Sequence, residues 1–313
     1  MFLIREGRPG DFRGVLALAK LLDSYNLPAD QAYVRQLLET SQASFQGALP
    51  RRRARYLFVL EEQGRIVGCS LILAKHGVPG APHLWFAEEK VVKRSRTLRI
   101  RRTHEVLRMG YTENGPTEIG GLVVLPGFRR HRERCGLQVG LVRFLYMGMH
   151  PDRFEPEVLV EYRGAMGAGH RSPFWEAIGR IFTGLPYHRA DRLSVANKEF
   201  ILNLLPREPI YCALLPQSVR AAIGAVHPSA ERASKIARSQ GFRRIPQIEP
   251  FDGGPYYSAR LREIRMVRRT RRVIVGSPFV LSQISARGGS ASGGEGRTEF
   301  GCFLVGTEAN GWF

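Results

Sequence analysis

The residues able to do chemistry are unevenly spread along this 313-residue chain. Four cysteines, Cys69, Cys135, Cys212 and Cys302, form no C-x-x-C pair and have no histidine at ligand spacing, so no metal site is expected. Cys69 and Cys212 sit in apolar runs and read as buried small hydrophobes. Eight histidines offer groups that can move a proton near neutral pH, but residue type alone singles out none of them. The most conspicuous feature is positive charge, a net +19. Residues 90–102 hold seven basic side chains and no acid, and residues 260–272 hold seven arginines against Glu263. Residues 51–53 and 129–134 form smaller patches. Such runs read as solvated faces, as a nucleic-acid surface, or as a field that attracts a polyanionic small molecule. No nucleic-acid-binding motif accompanies them and they are not interleaved with aromatics, which argues against nucleic acid as a partner.

One patch has a special setting. Residues 129–136 are basic, end in Gly136 and lead into an amphipathic helix marked by Leu137, Leu141, Phe144, Leu145 and Met149. Unpaired N–H groups at a helix start, together with the helix dipole, hold anions. The elements before this loop fall in a definite order. Residues 2–5 read as a strand, and Asp11 as a cap for a helix carrying Phe12, Val15, Leu16, Leu18, Ala19 and Leu22. Residues 30–38 read as a second helix. Residues 56–60 and 66–73 form a hairpin around Gln63-Gly64, and residues 118–125 form a strand closed by Pro126-Gly127. Strand, helix, helix, hairpin, strand, basic loop, helix resembles the layout of the acetyltransferase-type fold, and that resemblance implies that the last strand ends beside an acyl thioester and that the loop holds the pyrophosphate of coenzyme A.

After residue 150 come a strand at 157–162, helices at 174–181, 197–204, 217–224 and 230–240, and a strand region after Gly241. Residues 285–297 are rich in Gly and Ser and read as a linker, followed by an apolar segment, 300–313, that returns as a strand. The expected class is α+β: two acetyltransferase-like (GNAT-type) domains with mixed central sheets flanked by helices. The first, 1–150, would carry the acyl-CoA site, the second, 151–275, the catalytic machinery, and 276–313 the linker and final strand. No apolar run is long enough to span a membrane and no secretory leader opens the chain, so a cytoplasmic location is expected.

The second half carries a collinear set of short motifs: Val160-Glu-Tyr-Arg-Gly164, Ser172-Pro-Phe-Trp175, Gly179-Arg-Ile-Phe182, Ala190-Asp-Arg-Leu193, Phe200-Ile201, Leu205-Pro206, Pro209-Ile-Tyr211, Ile223-Gly-Ala-Val-His227, Gln240-Gly-Phe-Arg243 and Phe251-Asp-Gly-Gly-Pro255. In order and spacing this set resembles the arginine N-succinyltransferase family. The first half resembles it more loosely, through the strand at 118–124 and its flanking hairpin.

The resemblance implies transfer of a succinyl group from succinyl-CoA, a co-substrate rather than a permanently bound cofactor, to the α-amine of L-arginine. It implies that His227, in Val226-His227-Pro228, is the acid/base histidine, and that Leu122 contacts succinyl-CoA, through backbone because a leucine side chain has no donor. The chemistry implied needs a proton acceptor for the attacking amine and donors for an oxyanion, for which the backbone at Gly120-Gly121-Leu122 is suited. An arginine substrate needs a carboxylate; Glu161, Asp191 and Asp252 are candidates by type, with Glu161 and Asp252 taken forward. Asp252-Gly253-Gly254-Pro255 reads equally as a turn. Two departures from the family fall at the coenzyme A site: the loop at 130–136 has a single glycine, and Leu125 stands before Pro126 where many members carry an acid. Other acyl-CoA donors, ornithine as acceptor, an inactive partner subunit, and a homo- or hetero-oligomer are the remaining alternatives.

Overall fold

The structure, a computed structural model, describes residues 2–22, 27–167, 169 and 171–271. The linker and final strand expected within 276–313 lie outside these residues. Among the described residues the strands are β1 (Phe2–Glu6), β2 (Arg55–Glu62), β3 (Arg65–Leu73), β4 (His83–Ser95), β5 (Ile100–Thr112), β6 (Thr117–Val124), β7 (Glu157–Glu161), β8 (Ile210–Tyr211), β9 (Arg243–Ile248) and β10 (Pro255–Arg260). They form one continuous mixed sheet in the order β1-β2-β3-β6-β7-β10-β9-β4-β5-β8. The sheet therefore runs through the expected boundary at residue 150, joined by the parallel pair β6–β7. The hairpin β4–β5 comes early in the chain but is hydrogen-bonded to β9 and β8 of the later half.

Helices cover both faces. The alternation in β2 shows why: Tyr56, Phe58 and Leu60 point into one cluster and Leu57 and Val59 into another, all buried. A strand buried on both sides needs such a near-continuous apolar run. On one face α1 (Phe12–Leu22) and α2 (Gln31–Phe45) supply Val15, Leu18, Val34 and Leu38. On the other α3 (Cys135–Met149) and a later helix, Glu231–Ser239, supply Val139, Val142, Phe144 and Ala237. A third cluster, around Phe86, Phe174, Trp175 and Phe251, joins the later half to β4. There the stretch expected as one helix at 174–181 is two short ones, α4 (Pro173–Ala177) and α5 (Gly179–Thr183). The backbone breaks at Ile178, and Gly179 lies so close under the Trp175 ring that a Cβ there would sit 2.2 Å from a ring atom.

Asp11 does not cap α1. Its carboxylate takes both Nη groups of Arg5 at 2.7 Å and the N–H of Arg8. Asp30 does cap α2, accepting from the N–H of Tyr33. Leu125 packs against the cores on both faces, which accounts for an apolar side chain before Pro126. The basic cluster at 90–102 lies on the outer part of β4–β5. There Lys93 faces Arg102 and Arg94 faces Arg101, and the ladder to β9 and β8 reaches only Phe86–Ala87 and Val106–Leu107. No helix among the described residues is long and apolar enough to cross a membrane.

Candidate active site

The site begins with a defect in the sheet. Pairing of β3 with β6 slips by one residue: Cys69 faces Val123 and Leu71 faces Gly120, so Gly121 and Leu122 together oppose Ser70. Two residues against one is a β-bulge, and a bulge leaves backbone groups outside the ladder. Gly121 makes it with φ +57°, where a Cβ would lie 3.0 Å from that of Leu71. On its other side β6 pairs with β7 only at Thr117–Val158 and Glu118–Leu159, although the strands run on to Val124 and Glu161. Two parallel strands that part company open a wedge. A cavity of about 210 Å³ lies there.

Gly120, Gly121 and Leu122 line the cavity, as do Glu161, Asp191 and Asp252. The structure thus brings together residues from opposite ends of the sequence reading. The three acids are not equivalent. Asp252 spends its oxygens on the backbone N–H groups of Gly164 and Gly254, at 2.9 and 2.8 Å, and so builds the turn read in Asp-Gly-Gly-Pro. Glu249, which the sequence reading missed, also lines the cavity and accepts from the N–H groups of Phe251 and Asp252. Glu161 accepts no hydrogen bond among the described residues. Burial pushes its carboxyl well above the usual range, and the nearby Glu118 and Asp252 charges push it further. Burial likewise raises Glu249 and Asp252. A carboxylate without hydrogen bonds, crowded by other acids, is poised for a cation. Lys198, from the wall near Asp191, donates to the carbonyl of Pro82 and offsets part of the negative field at Glu161.

His227 is not itself a wall residue. Its backbone N–H donates to the carbonyl of Arg163 at 2.8 Å. Its Nδ1 accepts from the N–H of Ser229 at 3.2 Å and lies 2.7 Å from Ser229 Oγ. Both Arg163 and Ser229 line the cavity. A backbone N–H can only donate, so the lone pair of the neutral ring is on Nδ1 and its proton on Nε2.

Beyond the bulge, residues 129–134 lead into α3. Arg134 precedes the helix in the left-handed region, φ +51°, and supplies no side-chain cap, so no side chain at the N-cap occupies the first-turn donors. Arg129 Nε donates back to the carbonyl of Val124, fixing the start of this basic loop to the end of β6. One further residue was missed. Arg143, from the middle of α3, lines the cavity beside Gly120 with only 4% of its surface exposed. The signal was present: it is the one charged residue between Cys135 and Met149.

The chain is similar to known proteins along most of its length. The family described as arginine N-succinyltransferase beta subunit covers residues 2–266. An arginine N-succinyltransferase of Enterobacter sp. is 32% identical over 280 residues, spanning 88% of this chain and 80% of the relative. That of Escherichia coli K12 is 31% identical over the same shares. The solved arginine/ornithine succinyltransferase subunit AI from Pseudomonas aeruginosa superposes with a TM-score of 0.76 at 33% identity, covering 87% of this chain and 80% of that one. With its splayed mixed sheet flanked by helices, the chain belongs to the arginine N-succinyltransferase family, whose members are acyltransferases.

Proposed function

We propose that this protein transfers the succinyl group of succinyl-CoA to the α-amino group of L-arginine. The observation that carries the proposal is Glu161: a carboxylate without hydrogen bonds in the cavity that also contains the bulged strand. Glu161 takes the guanidinium of the acceptor, while Asp252 and Glu249 hold the loop that shapes this wall. Coenzyme A lies along the basic loop at 129–134, with its pyrophosphate at the start of α3. The thioester carbonyl then falls at Gly121–Leu122.

The steps follow from these placements. The neutral α-amine attacks the carbonyl carbon, and the electron pair moves to the carbonyl oxygen, where bulge N–H groups hold the oxyanion. The nitrogen sheds a proton toward Ser229 Oγ, whose own proton passes to Nδ1 of His227, 2.7 Å away. The intermediate collapses, the C–S bond breaks, and the imidazolium returns the proton to the thiolate. The products are N2-succinylarginine and free coenzyme A. The expected division of labour, an acyl-CoA site from residues 1–150 and acid/base and acceptor groups from 151–275, is part of this proposal. So are a cytoplasmic location and assembly into an oligomer, since the relatives' names describe subunits.

Purified protein mixed with succinyl-CoA and arginine should release free thiol and form succinylarginine. A panel of acyl-CoA donors against arginine, ornithine and lysine tests the assignment. The name of the Pseudomonas relative pairs arginine with ornithine, and one carboxylate accepts an ammonium as well as a guanidinium. Release only with another donor or acceptor would overturn the substrates, and none at all would overturn the activity.

A further inference from the structure

Arg143 is a buried cation with no acid beside it among the described residues. Its Nε donates to the carbonyl of Gly140 at 3.0 Å and its Nη1 to that of Gly120 at 3.3 Å. No carboxylate of the described residues is ion-paired with it, and none contributes to its electrostatic surroundings. A guanidinium has five N–H donors, so three are left over. Burial is costly enough to bring its pKa down to about 10, against mild opposing effects of Tyr162 and Cys69. Leaving such a charge unpaired in the interior is unfavourable, and a purely structural site could hold an apolar side chain at least as well. The residues around it are apolar: Leu122 and Ile236 flank Gly140 one turn before it, and Phe144 follows it.

Its position says what would complete it. Arg143 lines the same cavity as Glu161 but is bonded to Gly120, at the strand segment that receives the acyl group. We infer that Arg143 binds the terminal carboxylate of the acyl group, making the enzyme selective for a dicarboxylic acyl-CoA over a neutral one of equal length. This inference rests on the acyltransferase reading but not on arginine as the acceptor.

The test compares succinyl-CoA with butyryl-CoA, which replaces the carboxylate by a methyl group, in binding to the wild-type protein and in thiol release. The wild type should favour succinyl-CoA by 10- to 100-fold or more, the scale of a charge-assisted hydrogen-bonded pair. Arg143→Met should erase that preference while leaving butyryl-CoA within a few fold, and Arg143→Lys should restore part of it. Equal wild-type affinity for the two thioesters would overturn the inference, whether or not the variants fold. So would an equal loss on both donors in Arg143→Met. Preference for succinyl-CoA in binding, without transfer to arginine, would refute the proposed acceptor and leave Arg143 standing. Transfer to arginine from both donors alike would do the reverse.

Discussion

The two ends of the cavity are charged oppositely and built by different means. Beside the bulge, one guanidinium, Arg143, is carried on the middle of α3 and has no acid partner among the described residues. Across the wedge, Glu161 stands at the end of β7, with Glu249 and Asp252 in the loop between β9 and β10. The cationic end is a helix side chain held by backbone carbonyls. The acidic end pairs a loop whose acids, Glu249 and Asp252, accept backbone N–H groups with Glu161 on the neighbouring strand, whose carboxylate accepts none. Each end keeps one ionisable side chain, Arg143 or Glu161, that forms no ion pair with a side chain of opposite charge among the described residues. In the proposed reaction two substrates, one anionic at its tip and one cationic at its tip, pair with them, and their reacting atoms meet between.

The largest expected effect breaks the chemistry that both ends share. His227→Ala should lower kcat by about 10²- to 10⁴-fold with donor and acceptor binding intact, and Ser229→Ala should fall between it and wild type. Steady-state kinetics with separate binding measurements would show this. Full activity in His227→Ala would remove the histidine from the mechanism. Next, Glu161→Gln should raise KM for arginine by about 10- to 100-fold, because a hydrogen bond to a charged group is worth roughly 1.5–3 kcal/mol. Succinyl-CoA affinity should not change.

The sequence reading reached the two ends unequally, and the reason is physical. Backbone-built features leave marks: Gly120-Gly121 for the bulge, Asp-Gly-Gly-Pro for the turn, Pro126-Gly127 for the end of β6. The order of strands and helices through α3 was legible from periodicity. The hairpin β4–β5 was not read, because the charge of its outer part hid the alternation that buries Leu84 and Phe86. Side chains whose role depends on long-range placement left fainter traces. Arg143 looked like one more arginine among many, though an amphipathic helix with a single charge was the clue. Glu249 looked like a loop acid. Which of Glu161, Asp191 and Asp252 lacks hydrogen bonds depends on Gly164 and Gly254 donating to Asp252, a contact spanning 88 residues in the case of Gly164.

Gly121→Val should cost about 1–3 kcal/mol of stability, since a β-branched residue is strained at φ +57° and its Cβ meets Leu71. Urea denaturation measures this, and acyl transfer should fall by more than the folded fraction does. At the acidic end the sign of the pH dependence is fixed. The native Glu161 carboxyl has a raised pKa, so the native state retains a proton that the unfolded chain has lost. Its contribution to stability is therefore complete in acid and is lost as pH rises from the usual carboxylate range through the raised value. Glu161→Gln should raise the Tm of the unliganded protein at neutral pH, on the order of 2–4 °C for each kcal/mol recovered, and flatten its decline with pH. Arginine affinity should run the other way in wild type, strengthening as pH rises. The smallest effect should come from the basic ribbon: replacing Lys93, Arg94, Arg101 and Arg102 by Ser should leave kcat/KM unchanged, since none of them lines the cavity.

The most direct test of the charge-divided cavity is a grid of kcat/KM values. It sets succinyl-CoA and butyryl-CoA against arginine and a neutral isostere, citrulline, for wild type, Arg143→Met and Glu161→Gln. Opposed charged ends predict that Arg143→Met loses activity only along the donor axis and Glu161→Gln only along the acceptor axis. Losses spread equally over both axes in both variants would contradict it.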